Sequence, residues 1–319
     1  MNGEESKMRY ANNDKPTFYF IGVSTGQSSI MRLFPLWAEA LQLGDVQIKG
    51  MDLPIHAAPE AYRDAVSFIK QDPMSLGALV TTHKIDLYLA AKDLFDELDD
   101  YASMFNELSS ISKRGGKLVG CAKDPISSGL SMEAFIPEGY WSGSGEAFIM
   151  GAGGSALAIS SYLTRADHGT DIPSKIIISN RSRPRLESAE RLLSSIDTAT
   201  RFEYRLCPEP LDNDRILHEL PEQSLIINAT GLGKDRPGSP LTDNARFPLG
   251  SLVWELNYRG DLKFMHQAYA QKERSGLHVE DGWVYFLHGW TQVIQEVFDI
   301  RISGDQFDRL ARIASSLRS

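Results

Sequence analysis

Residues 147–162 read AFIMGAGGSALAISSY, and this stretch decides which fold the sequence predicts. The apolar run Ala147–Met150 is typical of a short buried strand, and the small and apolar residues after it are typical of a helix. Glycines between a strand and a helix permit a tight turn and let a phosphate approach the helix N-terminus. The residues predicted to contact a dinucleotide here are Gly151, Ala152, Gly153, Gly154 and Ser155. Because Leu157 stands near the third glycine position of GxGxxG, a turn without a ligand remains an alternative.

The next predicted strand indicates which dinucleotide would bind. The apolar, β-branched run Ile176–Ser179 is followed by Asn180-Arg181-Ser182-Arg183-Pro184-Arg185. An NAD site commonly has an acidic residue here that accepts hydrogen bonds from the ribose, whereas arginine forks suit a 2′-phosphate. This segment contains no acid, so the sequence predicts NADP over NAD. The predicted contacts are Asn180, Arg181, Ser182 and Arg185, and a solvated basic turn is the alternative.

Strand and helix patterns alternate on both sides of this region. The alternation predicts an α/β fold with mostly parallel sheets covered by helices. At 319 residues the chain is longer than one core usually organises. We predict two α/β domains, the first over 1–130 and a Rossmann NADP-binding domain over 131–262. C-terminal helices over 263–319 are predicted to return to the first domain.

The composition excludes several classes of function. Hydrophobic residues make up 42% and charged residues 24%, as in an ordinary soluble globular protein. The net charge of −9 argues against a nucleic-acid surface. The two cysteines, Cys121 and Cys207, have no metal-like spacing, and no apolar run approaches the ~20 residues of a membrane helix. Residues 1–16 are polar and predicted to be a disordered leader rather than a secretory signal, so we expect a cytoplasmic protein without metal, nucleic-acid or membrane partners.

Six short segments, taken in order, resemble motifs of the shikimate/quinate dehydrogenase family. They are VTTHK at 80–84 (family VTIPHK, one residue shorter here), GCAKDPISSG at 120–129 (GxNTDxxG), GAGGSA at 151–156 (GAGGAA), NRS at 180–182 (NRT), NATGLG at 228–233 (NATPLG) and DGW at 281–283 (DGLxML). The resemblance covers about residues 18 to 300. It implies an NADP-dependent alcohol dehydrogenase of the shikimate dehydrogenase type, in which the α/β domain over 1–130 is the substrate-binding catalytic domain.

The resemblance also implies residue roles. Lys84 and Asp124 correspond to the lysine and aspartate that the family uses for proton transfer at the reacting hydroxyl. Lys84 follows a predicted buried strand, where desolvation favours the neutral amine that a proton acceptor needs. The other implied cofactor residues are Thr230, Gly231, Leu232 and Gly282, and the implied substrate residues are Ser28, Thr81, Asn106, Tyr258 and Gln292. The alternatives are a surface ion pair for Lys84 and Asp124, a turn residue for Asn106, a core aromatic for Tyr258 and a helix cap for Gly282.

The chain departs from the family at substrate positions. Ile30, Met31, Ala122-Lys123 and Gly289 stand where the family has a serine, a proline, Asn-Thr and a glutamine. A site built on hydrogen bonds discriminates strongly once the partners change, and Lys123 offers a new charge for a carboxylate. We therefore expect retained chemistry on a small cyclic polyol or acid, shikimate- or quinate-like, in a monomer or homodimer. A non-catalytic metabolite sensor with this fold is the alternative, and folate dehydrogenase relatives share the two-domain plan.

Overall fold

The computed structural model describes residues 10–143, 145–234 and 236–318. The chain divides into two compact units. The first unit consists of the residues up to Lys123 together with those from Trp290 onward, and the second consists of Asp124–Gly289. Each unit contains one six-stranded sheet. Within the described residues, no helix combines the length and the apolar character needed to span a membrane.

The strands are β1 (Thr17–Gly22), β2 (Gln47–Asp52), β3 (Ser75–Val80), β4 (Glu97–Leu98), β5 (Ser110–Arg114), β6 (Lys117–Cys121), β7 (Ala147–Met150), β8 (Lys175–Asn180), β9 (Arg201–Leu206), β10 (Leu225–Asn228), β11 (Leu252–Glu255) and β12 (His278–Glu280). The α-helices are α1 (Ile30–Ala40), α2 (Pro59–Gln71), α3 (Lys84–Ala91), α4 (Asp100–Phe105), α5 (Asp124–Glu133), α6 (Gly154–Leu163), α7 (Arg183–Leu193), α8 (Pro210–Glu219), α9 (Lys263–Tyr269), α10 (Lys272–Ser275), α11 (Trp283–Phe298) and α12 (Gly304–Ser315).

The first unit has the strand order β2-β1-β3-β5-β6-β4. Strand β1 is parallel to β2 and β3, whereas β5 is antiparallel to both β3 and β6. Strands β1, β3 and β6 therefore run in one direction, and the segments that follow them leave the sheet at one edge. One face of this sheet packs on α2 and α3 through a core that includes Ile21, Tyr62, Val80 and Leu87, all buried.

The C-terminal part of the chain completes the other face of the first unit. Trp290 lies edge-on to Phe18 and Phe20, with ring centroids 6.2 and 5.0 Å apart. The Trp37 indole N–H donates to the Leu310 carbonyl at 3.0 Å, which fixes α12 against α1. The aromatic core of this unit is thus assembled from two ends of the chain.

The second unit has the strand order β12-β11-β10-β7-β8-β9, and every pairing in it is parallel. The chain order reverses between β7 and β10, as in a Rossmann fold, where the switch point opens a crevice at the carboxyl ends of the strands. Apolar residues on these strands, such as Phe148, Ile226 and Val253, are fully buried. The α/β class predicted from the strand and helix alternation is the class observed here.

The unit boundaries differ from the predicted domain boundaries. Strand β12 pairs with β11 through Leu252 and His278, so it adds a sixth strand to the second sheet. Residues 263–289, predicted to return to the first domain, consequently lie in the second unit, and the return begins at Trp290. The first division falls after Lys123, where α5 begins, rather than at 130.

The predicted disordered leader is ordered in its last part. Residues 1–9 lie outside the described residues. Tyr10 packs on Phe68 with ring centroids 5.3 Å apart, and the Asn13 side-chain amide donates to Asp72 at 2.8 Å. Polar composition concealed these contacts because each of them is made with a distant part of the chain.

Candidate functional site

A cavity of about 510 Å³ lies at the carboxyl ends of the second unit's strands. Its lining comes from the segments after β7, β8 and β10, so it occupies the switch point of the sheet. Nine of the thirteen predicted cofactor residues line it: Gly151, Ala152, Gly153, Asn180, Arg181, Ser182, Arg185, Thr230 and Leu232. The other four, Gly154, Ser155, Gly231 and Gly282, do not.

The glycine turn after β7 has the geometry of a phosphate-binding turn. Gly151 has a φ of 118°, and a Cβ atom there would lie 2.5 Å from the Ala229 carbonyl oxygen. Gly153 is the N-cap of α6, and a Cβ atom built on it meets nothing within 4 Å. The first glycine is thus required by packing against the neighbouring strand end, and the second leaves the helix N-terminus open to an anion. Gly154 and Ser155 are the first two residues of α6 itself.

The arginine loop after β8 forms a second wall of the cavity. The Asn180 side-chain oxygen accepts the Ser182 backbone N–H at 2.9 Å, which shapes the turn. Arg181 and Arg185 line the cavity, whereas Arg183, the first residue of α7, does not. The carboxylate that lines the cavity, Glu209, takes part in the capping box of α8. This wall therefore presents guanidinium groups beside a carboxylate that already caps a helix.

The segment after β10 forms the third wall and rests on a buried carboxylate. Glu255, at the end of β11, is fully buried and accepts hydrogen bonds from the side-chain amides of Asn228 at 2.7 Å and Asn257 at 2.6 Å. Both amides also contact the Leu232 carbonyl oxygen, at 3.2 and 3.0 Å. The Asn228 side-chain oxygen accepts the N–H of Thr230 at 3.1 Å and its hydroxyl at 2.6 Å.

Gly282 and Tyr258 take structural positions in the second unit. A Cβ atom on Gly282 would lie 2.0 Å from the Leu256 carbonyl oxygen, so close backbone packing requires the glycine. Tyr258 packs against Trp283 and Phe286 with ring centroids 5.6 and 4.6 Å apart. Neither residue lines the cavity at the switch point.

Lys84 lies at the edge of the first unit's sheet where β1, β3 and β6 end. It begins α3 directly after β3, is half-buried, and donates its backbone N–H to the Thr81 carbonyl at 3.2 Å. The Thr81 N–H donates to the Ile21 carbonyl at 3.1 Å, which ties this turn to the end of β1. The backbone that carries Lys84 is therefore fixed by two strands.

The buried side chain of His83 anchors the same turn. It is 1% exposed, and its Nδ1 lies 3.2 Å from the Tyr62 hydroxyl. That hydroxyl is 3.4 Å from the Asp86 carboxylate, which His56 contacts at 2.9 Å. Burial and the Asp86 charge raise the pKa of Tyr62, so its hydroxyl remains a proton donor. The turn before Lys84 is held by side-chain hydrogen bonds as well as by backbone.

Asp124 begins α5 directly after β6 and is 7% exposed. Its neighbour Lys123 forms a salt bridge with Glu296 at 2.5 Å, with side chains 13% and 12% exposed. Arg114 also pairs with Glu296, at 3.0 Å. Because Glu296 already neutralises Lys123, this pairing argues against the expectation that Lys123 offers a new charge to a substrate carboxylate. In the part of the chain that the structure describes, no group of three or more His, Cys, Asp or Glu side chains is arranged to hold a metal ion.

Comparisons with known proteins agree with this architecture. A shikimate dehydrogenase (NADP(+)) of Symbiobacterium thermophilum is 29% identical over 187 residues, 58% of this chain and 60% of that protein. The shikimate 5-dehydrogenase of Thermus thermophilus, solved with NADP(H) and shikimate, has a TM-score of 0.69 at 21% identity and covers 94% of this chain and 99% of its own. The quinate dehydrogenase of Corynebacterium glutamicum, solved with NAD, has a TM-score of 0.71 at 17% identity, with 95% and 100% covered.

The chain is similar to shikimate dehydrogenases in sequence over about half of its length, and to shikimate and quinate dehydrogenases in fold over nearly all of it. No protein-family model matches it, and it spans about half to three fifths of the length of the curated relatives it matches. At their levels of identity, the solved structures show the fold alone. They confirm the predicted α/β substrate domain and Rossmann-type domain.

The substrate residues implied by the resemblance fall into two groups. Ser28, Thr81 and Gln292 are half-buried in the first unit, and Ser28 lies on the segment that follows β1. Asn106 has a φ of 53° at the C-cap of α4, which is the turn role that the sequence left open.

Ile30 and Ala122, two of the positions that depart from the family, are fully buried in the first unit. Core packing therefore accounts for their apolar character without any reference to a substrate.

Ten residues of the cavity were not predicted. They are Ser179, Cys207, Pro208, Glu209, Pro210, Asn213, Ala229, Arg236, Ser239 and Pro240. Ser179 donates to the Asn213 side-chain oxygen at 2.7 Å, and Asn213 donates to the Pro240 carbonyl at 2.9 Å. These residues come from four separate segments, so no local motif unites them. Ser179 and Ala229 had a sequence signal, because they immediately precede the predicted Asn180 and Thr230.

Proposed function

We propose that this protein is an NADP-dependent oxidoreductase that interconverts a secondary alcohol and a ketone on a small carbocyclic acid or polyol. The observation that carries the proposal is the cavity at the switch point, where an open helix N-terminus shares one space with three arginines, Arg181 and Arg185 of the loop after β8 and Arg236. Such a combination suits a dinucleotide with an extra phosphate, because the helix end favours the pyrophosphate and the guanidinium forks favour the 2′-phosphate.

The residues present fit that cofactor. The open approach to Gly153 leaves room for a pyrophosphate at α6, and Arg181 and Arg185 would hold the 2′-phosphate. Neighbouring proteins of this fold differ in their dinucleotide, since the Thermus protein was solved with NADP(H) and the Corynebacterium protein with NAD. The arginines of this chain are the reason for choosing NADP.

The bound nicotinamide would accept or deliver the hydride. The chain's own task is to move the accompanying proton, and we assign it to Lys84 with Asp124. Lys84 is half-buried, and its backbone belongs to a turn fixed by two strands. Asp124 follows β6, which ends at the same edge of the sheet as β3. In this assignment Asp124 orients the amine while Lys84 accepts the proton of the reacting hydroxyl and returns it in the reverse direction.

The substrate class follows from the retained and altered positions. Half-buried Ser28, Thr81 and Gln292 supply hydroxyl and amide groups suited to a polyol or a carboxylate. The Lys123–Glu296 salt bridge stands where the family has an uncharged Asn-Thr pair. We therefore propose a ring alcohol related to shikimate or quinate, with a different set of ring substituents.

The test has two parts. Oxidation of a panel of cyclic polyols, shikimate and quinate included, is followed by the absorbance of the reduced nicotinamide with NADP and with NAD. Arg181→Ala should weaken NADP binding by about 1.5–3 kcal/mol, the scale of a hydrogen bond to a charged group, and leave NAD binding nearly unchanged. Arg183→Ala is the matched control, because Arg183 belongs to the same motif but does not line the cavity.

Two results would count against the proposal. Equal losses for NADP and NAD in Arg181→Ala would remove the 2′-phosphate role of the arginine loop. Binding of a ring alcohol without any turnover, in the presence of bound NADP, would favour the sensor instead.

A further inference from the structure

A buried carboxylate supports one wall of the dinucleotide cavity, and the mechanism above gives it no role. Glu255 is 0% exposed at the end of β11. Its Oε1 accepts the Asn257 backbone N–H at 2.9 Å and side-chain N–H at 2.6 Å, and its Oε2 accepts the Asn228 side-chain N–H at 2.7 Å. Burying a carboxylate is costly because its charge loses contact with water, and these hydrogen bonds offset part of that cost.

Asn228 and Asn257 connect Glu255 to the cavity wall through hydrogen bonds. Each side-chain amide has two hydrogens, one directed at Glu255 and the other at the Leu232 carbonyl oxygen. The Asn228 side-chain oxygen accepts both the N–H and the hydroxyl of Thr230. Thr230 and Leu232 line the cavity. The shape of this wall is therefore fixed by the orientation of two amides.

Only a group that accepts without donating can hold both amides this way. If the Asn228 amide rotated by half a turn, its NH₂ group would face the Thr230 donors and both of those hydrogen bonds would be lost. A carboxylate at position 255 opposes that rotation because its oxygens accept hydrogen bonds from the NH₂ groups that face it. A neutral carboxyl or a carboxamide would instead present a donor to at least one of them.

We propose that Glu255 is a positioning residue for the dinucleotide, whose carboxylate fixes the Thr230–Leu232 wall through Asn228 and Asn257. The inference rests on the proposed function and adds to it a residue that contacts neither the cofactor nor the substrate. It follows that the affinity for the dinucleotide depends on the charge of Glu255.

The charge of Glu255 changes within a pH range in which binding can be measured. The pKa of Glu255 is raised to about 7: burial raises it most, the hydrogen bonds from Asn257 and Asn228 lower it, and the Asp281 carboxylate raises it. The carboxylate form, which the wall requires, is therefore dominant at pH 8 and the minor form at pH 6. We expect the wall to loosen, and the dinucleotide to bind more weakly, as the pH falls through 7.

The experiment measures NADPH binding by calorimetry at pH 6 and pH 8 for the wild type, Glu255→Gln and Glu255→Asp. Glu280→Gln on the neighbouring β12 is the matched control, because its carboxylate is partly exposed and pairs with His278. At pH 8, Glu255→Gln should bind at least about tenfold more weakly, as expected when a hydrogen bond to a charged group is lost. The pH dependence shared by the wild type and the control should be reduced in Glu255→Gln and kept in Glu255→Asp.

Titration of the 2′-phosphate of NADPH cancels, because all variants are compared with the same ligand. If Glu255→Gln does not fold, the wild type alone still tests the inference with NAD, which carries no 2′-phosphate. Its affinity should fall by up to about tenfold from pH 8 to pH 6, following the ionised fraction of the carboxyl group. Wild-type affinity for NAD that is the same at both pH values would overturn the inference, as would a folded Glu255→Gln that binds NADPH like the wild type. Absence of any dinucleotide binding to the wild type would instead refute the proposed function itself.

Discussion

Ionisation of Glu255 should lower the free energy of unfolding, whereas it should strengthen dinucleotide binding. Burial raises the pKa of Glu255 from 4.5 to about 7 in the folded protein. A raised pKa means that the neutral carboxyl is favoured in the folded state, so its contribution to stability is complete below pH 4.5 and is lost as the pH rises through 7. The difference between the two pKa values corresponds to about 3 kcal/mol. The folded protein with an ionised Glu255, which the cavity wall requires, is thus less stable against unfolding than the folded protein with a neutral Glu255.

The perturbation that isolates this effect is Glu255→Gln, which cannot ionise. We expect the unfolding free energy of the wild type to fall by about 3 kcal/mol relative to that of Glu255→Gln between pH 4.5 and pH 8. Urea unfolding of both proteins without a dinucleotide, followed by far-ultraviolet circular dichroism, gives the two free energies at each pH. Other titrating groups affect both proteins alike, so the difference between the proteins reports on position 255.

A difference that stays constant within about 1 kcal/mol across this range would refute the reasoning, because it would mean that Glu255 ionises in the folded protein as it does in the unfolded chain. A wild type that gains stability relative to Glu255→Gln as the pH rises would refute the sign. In that case the hydrogen bonds to the carboxylate would outweigh the cost of its burial.

Three further changes test other parts of the molecule. Lys84→Ala should reduce turnover of the true substrate about 10²–10⁴-fold with little effect on NADPH affinity, since steady-state kinetics and calorimetry separate proton transfer from binding; full turnover would contradict the assignment. Glu296→Gln should lower the unfolding free energy by about 3 kcal/mol, because the nearly buried Lys123 loses the Glu296 carboxylate. Adding Lys123→Met should restore most of the loss, and a urea midpoint of Glu296→Gln equal to that of the wild type would contradict the role of this salt bridge. Gly77→Ala should cost at least about 2 kcal/mol, since φ is 149° and the new Cβ would lie 2.1 Å from the Ile111 carbonyl oxygen; a thermal midpoint equal to that of the wild type would show that the backbone relaxes.

The parts of the fold that the sequence predicted are those with a local signal. Ala147–Met150 was predicted with the observed bounds, because it is a short apolar run that ends at a glycine. Strands β9 and β12 lie at the two edges of the second sheet, and their charged and polar residues show no apolar run. Since β12 was not predicted, the end of the second unit was predicted too early in the chain.

The candidate site divides in the same way. The glycine turn and the arginine loop are contiguous motifs, so their residues could be named from the sequence. Glu255 could not, because the sequence shows one acid after an apolar run, and its role depends on Asn228 from another strand as well as on nearby Asn257. An acidic residue at the end of a run such as LVWE is the one signal that would have drawn attention to it.

The aromatic packing of Trp290 on Phe18 and Phe20 has a consequence for synthesis on the ribosome. Strand β1 emerges early, yet Trp290, which covers part of one of its faces, is added about 270 positions later. Asp124–Gly289, by contrast, is complete before Trp290 has been translated. Until Trp290 emerges, that face of β1 is covered only in part, by α1 through the contact of Phe34 with Phe18. During that interval the exposed aromatic surface is a binding site for chaperones and a starting point for aggregation.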